Sequence, residues 1–121
     1  MFLELAHTKL PVYSATKLFS LECYKLTKSL PSEEKFNLIQ QIRRAAMSVH
    51  LKTAEGASRK SEAERKRFYE IAGSSAIEID AALDIAESLG YCKKVDLQSL
   101  GDAMINCFKQ LTGLINASSK N

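Results

Sequence analysis

Apolar residues recur along this chain at steps of three and four, the spacing that gathers them on one face of an α-helix. Pro11 suits the first turn of a helix, and Val12, Phe19, Cys23, Leu26 and Leu30 then share a face until Pro31 intervenes, which predicts a first helix over residues 12–30. Ser32 is placed to cap a second helix, with Glu33 and Glu34 beside its positive N-terminus. Leu38, Ile39, Ile42, Ala46 and Val49 supply that helix's stripe, and Gly56 suits its end. Ser61-Glu62-Ala63-Glu64 has the spacing of a capping box, in which a hydroxyl and a carboxylate each accept from the other residue's free amide. It opens the longest predicted helix, whose stripe is Phe68, Ala72, Ser75, Ile79, Ala82, Ala86 and Leu89, with Gly90 suited to close it. Asp96 is placed to cap a fourth, where Leu97, Leu100, Met104, Cys107, Leu111 and Leu114 form a seam fit for coiled-coil-like packing.

These patterns predict an all-α fold, an antiparallel up-down-up-down four-helix bundle, because short links between long helices favour neighbours that alternate in direction. No alternating β pattern or Gly-rich phosphate loop is present. A second stripe, Ile105, Phe108 and Ile115, flanks the seam of the last helix. One helix on one side of a monomer does not bury both stripes fully, so the excess belongs either to a wide core-facing stripe or to another subunit. Gly73-Ser74-Ser75-Ala76 puts small residues in the middle of the third helix, where Gly costs about 1 kcal/mol relative to Ala. Close approach of a neighbouring helix, in the same subunit or another, would offset that cost.

The chain has 121 residues, 45% of them hydrophobic and 26% charged, which fits one globular domain over residues 1–121. No apolar run reaches membrane-spanning length and the start MFLELAHTKL does not read as a signal peptide, so a cytoplasmic location is expected. Cys23, Cys92 and Cys107 are odd in number and widely spaced, and they read as small apolar residues rather than a disulfide framework. His7 and His50 lie apart with no ligand cluster beside them, so neither a metal nor another cofactor is expected. Catalysis would need a clustered nucleophile and base or paired carboxylates. The nearest candidates, Ser48 and His50, are two positions apart on one helix and face different directions, so the chain reads as non-enzymatic.

Charge distribution says more than the net +3. Arg43, Arg44, Lys52, Arg59, Lys60, Arg65, Lys66 and Arg67 fall in one stretch with only Glu55, Glu62 and Glu64, a local balance of +5. If the second and third helices fold back about residues 57–60, Lys52 comes near the level of Arg65 and cations face cations. The same end would receive Lys9, Lys17 and Lys120, giving a basic pole. Arg43 and Arg44 fall beside Ser74 to Glu78, where Glu78 offers a salt bridge; the alternative is that they stay available to a ligand. Phe68 fits the core stripe, which leaves Tyr69 as the stacking candidate beside the cations.

Gln41-Ile42-Arg43-Arg44-Ala45-Ala46-Met47-Ser48-Val49 resembles the bacterial four-helix-bundle family named for intervening sequences in large-subunit (23S) rRNA genes. Leu30-Pro31, Glu34-Lys35-Phe36, Ala54-Glu55-Gly56, Phe68-Tyr69 and Ala72-Gly73-Ser74 resemble the same pattern in order, over nearly the whole chain. The resemblance implies a ring-shaped homo-oligomer, commonly a homopentamer. It also implies kinship with an accessory protein that partners a reverse transcriptase in diversity-generating retroelements, and hence RNA or DNA binding. Lys52 and Thr53 stand where the family usually has Asn and Ile, His50 where it often has Pro, and Asn37 where it often has Gly. Lys52 adds charge suited to phosphate contact rather than base reading. Together these readings predict an oligomeric nucleic-acid-binding protein, RNA preferred, using Arg43, Arg44, Lys52, Arg59, Lys60, Arg65, Lys66 and Arg67, with Tyr69 for stacking. The competing expectation is a scaffold whose charged pole recognises an acidic protein.

Overall fold

The computed structural model describes residues 2–119, with side chains described through residue 117. Among them are four α-helices and no strand: α1 (Pro11–Thr27), α2 (Leu38–Ala57), α3 (Glu62–Ser88) and α4 (Gln98–Ser119). Short 3-10 turns at Ala6–Lys9, Ser32–Glu34 and Lys94–Leu97 precede α1, α2 and α4. Lys120, expected at the basic pole, lies outside the described residues. No helix among the described residues is long and apolar enough to cross a membrane.

Helices α1 and α3 each pack against both α2 and α4. The contacts set the register. Thr16 Oγ1 meets His50 Nδ1 at 2.9 Å, Ser20 Oγ donates to the Ala46 carbonyl at 2.8 Å and Arg43 Nε donates to Thr27 Oγ1 at 2.8 Å, so residue numbers fall along α2 as they rise along α1. Between α2 and α3 the Ser75 hydroxyl donates to Ser48 Oγ at 2.9 Å. The main core is built from Phe19, Cys23, Ile42, Ala46, Val49, Ala76, Ile79, Met104 and Cys107, and a second, smaller cluster joins Val12, Tyr69, Ala72 and Leu111 near the α2/α3 turn. All three cysteines are buried free thiols, as their spacing predicted. Burial pushes Cys23 and Cys107 up to about 12, and Cys107 donates to the Ala15 carbonyl at 3.1 Å.

Helix ends depart from the pattern reading in specific ways. The first helix stops at Thr27, and the chain tightens into three-residue turns in which the Ser29 and Leu30 amides donate to the Leu26 and Thr27 carbonyls; Pro31 then keeps Leu30 out of helical geometry. Ser32 does not cap α2, which begins six residues later. The carboxylate of Glu34 serves instead: one oxygen accepts the Leu38 amide at 3.4 Å and the other accepts the Tyr91 hydroxyl at 3.0 Å. Asp96 does not cap α4 either; it closes the turn before it by accepting the Lys93 amide at 2.9 Å. Ser61 caps α3 as predicted, accepting the Glu64 amide at 3.1 Å. At the far end Gly90 takes φ +81° while the Tyr91 amide reaches the Ala86 carbonyl at 3.0 Å, a left-handed glycine closure.

The glycines reverse their expected roles. Gly56 is no helix stop, since α2 continues through Ala57; a Cβ there would lie 2.9 Å from the Phe68 Cβ and 3.0 Å from the Tyr69 ring. It is the point where α2 and α3 come closest to needing a missing side chain. Gly73 is not packed by another helix, for among the described residues nothing lies within 4 Å of a Cβ built on it.

Candidate nucleic-acid interface

The turn between α2 and α3, residues 58–61, is stitched by a cation rather than by a second tight glycine. Arg65 Nη1 donates to the carbonyls of Arg59 and Lys60, each at 2.9 Å, while its other terminal nitrogen lies 4.0 Å from Glu62. Ser58 folds its hydroxyl back onto the Glu55 carbonyl at 2.7 Å. A guanidinium held on two carbonyls contributes to the turn and has fewer donors left for a ligand. Arg65, expected as a phosphate contact, is therefore first a structural residue.

Lys52 and Arg59 share one acid. Glu55 Oε2 lies 3.7 Å from the Lys52 ammonium and 3.9 Å from an Arg59 nitrogen. Both cations also sit over the Phe68 ring, Lys52 at 5.5 Å and Arg59 at 4.6 Å from its centre. The expectation that cations here only face cations is corrected by Glu55. The assumed register is corrected too: from the Ser48–Ser75 contact, Lys52 comes level with Ile71, about six residues from Arg65. Lys60 and Arg67 are exposed and Lys66 is half-buried, and among the described residues none of the three has an ion pair.

Tyr69 and Phe68 exchange the roles read from the stripe. Tyr69 is only 3% exposed, packed in the smaller core cluster beside Gly56, and burial raises its phenol pKa. A base has no ring face to stack on there, so the Tyr69 assignment is withdrawn. Phe68 is the aromatic that faces the cations. Nothing in the helical period signals this, because Lys52 lies on α2 and Arg59 in the turn beyond its end; the turn itself brings Arg59 over the ring.

Arg43 and Arg44 lie elsewhere. Fourteen residues separate Arg44 from Ser58, about 20 Å along a helix axis. Among the described residues neither pairs with Glu78; Arg43 donates to Thr27 and stacks over Tyr24 at 5.0 Å, and Arg44 is exposed. Without these two arginines, the local balance from Lys52 to Arg67 is +3 rather than +5. Ser48 and His50 also separate. Ser48 bonds to Ser75 of α3, whereas His50 bonds to Thr16 and lies against the Tyr13 ring at 4.6 Å, where burial first, then Lys17 and His7, lower its pKa.

The α2/α3 hairpin that builds this end is the segment where the quoted sequence patterns concentrate, and a family model described as 23S rRNA-intervening sequence protein matches residues 8–113. The chain belongs to this family. No curated protein matches it. The family span covers α1 to α3 and most of α4, and two short segments of this chain within it have packing explanations. Ala45 and Ala46 are buried in the main core, Ala46 beside Ser20 of α1, and Gly56 lets Phe68 and Tyr69 close on α2.

Proposed function

We propose that this chain is a non-enzymatic, self-assembling nucleic-acid-binding protein, with RNA its preferred ligand, that contacts phosphates through the end of the bundle at the α2/α3 turn. The observation that carries the reading is a division of labour. Arg65 holds the turn's carbonyls, and Lys60, Lys66 and Arg67 beside it have no ion pair among the described residues. Lys52 and Arg59 add charge around Phe68, half neutralised by Glu55. Cations on an ordered turn suit phosphates, which fix register and orientation without reading sequence.

The family description supports an RNA-related role. In this reading the subunit is an antiparallel up-down-up-down bundle repeated around a ring, a homopentamer by family resemblance, and repetition turns a modest patch into a strong field. Binding to labelled single-stranded and duplex RNA and DNA across a salt series tests it. Each phosphate neutralised adds about 0.7 to 0.9 to the slope of log affinity against log salt. A slope near 4 or steeper with RNA favoured supports the reading. No binding at low salt overturns it and moves the basic end to an acidic protein partner.

A further inference from the structure

An aromatic ring held in solvent among cations suits an unpaired base, because every base has a π-face to stack and phosphates on either side. Among the described residues only two Phe or Tyr side chains are exposed, Phe2 and Phe36. Phe2 has Glu4 close by in the chain and neither Lys nor Arg before Lys9. Phe36 is 77% exposed and belongs to a groove at the start of α2 that Lys35, Ile39, Gln40, Arg43 and Arg44 also line, three cations and no carboxylate. The Lys35 ammonium lies 5.5 Å from the ring centre, and among the described residues neither Lys35 nor Arg44 has an ion pair.

The backbone on both sides of Phe36 is tied down. The Lys35 amide donates to the Ser32 carbonyl at 3.1 Å and the Asn37 amide to the Glu34 carbonyl at 3.0 Å. The Glu34 carboxylate in turn accepts from the Leu38 amide and the Tyr91 hydroxyl. The turn that presents the ring is therefore ordered before any ligand arrives, which lowers the entropy cost of binding. Arg43 forms a fixed wall, bonded to Thr27 and stacked over Tyr24, while Arg44 is exposed. The basic end has no such ring: Tyr69 is buried, and Phe68 is half-buried with Lys52 and Arg59 over it.

We infer that this groove takes one unpaired base of single-stranded RNA, stacked on Phe36, with Lys35 and Arg44 on the flanking phosphates and the Gln40 amide offered to the base edge. Bases inside a duplex are stacked on one another and present no face, so the groove selects single strands, which phosphate contacts alone do not. The inference rests on the RNA binding proposed above and adds to it the form of RNA preferred. The groove lies at the opposite end of α2 from the turn at residues 58–61, about 30 Å along the helix axis, so either contact can be removed without the other.

The chain has no Trp, so Phe36→Trp puts the sole indole at the site. Its fluorescence should be quenched by a single-stranded oligouridylate and not by duplex RNA. In binding to the same labelled oligouridylate, Phe36→Ala should weaken affinity about tenfold, with the salt slope unchanged because the ring carries no charge. Phe36→Tyr should keep the wild-type affinity, and Arg44→Gln should lower the salt slope by about 0.7. Duplex affinity should not respond to Phe36→Ala, and its mass by light scattering and helical content by circular dichroism should match the wild type. An indole unmoved at saturating oligouridylate, or wild-type affinity in Phe36→Ala, overturns the inference and leaves the basic end standing. A changed mass in Phe36→Ala assigns the ring to a contact between copies and overturns it as well. Phe36-dependent binding that survives reversal of Lys60, Lys66 and Arg67 removes only the basic end, and a wild type that binds no RNA at low salt overturns both.

Discussion

At the α2/α3 end the chain reverses within residues 58–61, whereas the other end needs residues 28–37 and 89–97 for its two connections. The short reversal is held by a cation on carbonyls, Arg65 on Arg59 and Lys60. The long connections are held together by a carboxylate on donors, Glu34 on the Leu38 amide and the Tyr91 hydroxyl. Each end thus uses one sign of charge for its own structure. The basic end retains exposed Lys60 and Arg67, and the other retains Asp84 and Glu87 near the C-terminus of α3, where the helix dipole disfavours them.

Reversing Lys60, Lys66 and Arg67 to Glu should have the largest effect. It should reduce the salt slope for RNA by about 2 to 3 and abolish measurable binding at moderate salt, with helical content unchanged. Equal loss on reversing Lys25, Lys28 and Lys35 would show that total charge, not this end, governs binding. Next in size, Gly56→Ala should lower stability by about 1 to 3 kcal/mol in denaturant unfolding, because the added Cβ meets the Phe68 Cβ, which is fixed to the backbone.

Arg65→Ala should cost about 1 kcal/mol through the two carbonyl hydrogen bonds. It should weaken RNA binding less than loss of Lys60, Lys66 and Arg67, which separates the turn's support from its contacts. Gly73→Ala should act with the opposite sign to Gly56→Ala, raising stability by roughly 0.5 to 1 kcal/mol, since its site on α3 is open and Ala is the better helix former. Smallest, Glu34→Gln should return the Tyr91 phenol toward its ordinary pKa in an ultraviolet titration. That phenol is raised chiefly by its hydrogen bond to Glu34, which favours the protonated form, and the change should leave RNA binding untouched.

Much of the fold was legible along the chain, and the exceptions share a cause. The α4 seam held, with Leu100, Met104, Cys107 and Leu111 buried, because a helix on one core repeats its buried face at fixed steps. The α3 stripe slipped by one residue at its start, from Phe68 to Tyr69, and failed at its end, where Leu83 is buried and Leu89, just past the helix, is exposed. Two aromatics in succession look alike to a periodicity argument, and only the approach of Gly56 selects which one is enclosed. Ser32 and Asp96 were plausible caps by residue type, yet their helices begin later because Glu34 and the 3-10 turn before α4 occupy those positions.

The candidate site was half legible for the same reason. A run of cations is visible in sequence, but which of them are engaged depends on groups brought in from elsewhere. Glu55 reaches both Lys52 and Arg59, two carbonyls hold Arg65, and Thr27 and Tyr24 of α1 take Arg43. Periodicity and composition were sufficient for four helices, a buried stripe on each and a basic excess near the α2/α3 turn, because these depend on neighbours a few residues away. The buried aromatic, the close approach at Gly56 and the separation of Arg43 and Arg44 from the basic end depend on how far one helix slides against the next. That offset is set by packing between residues distant in the chain, and no local pattern carries it.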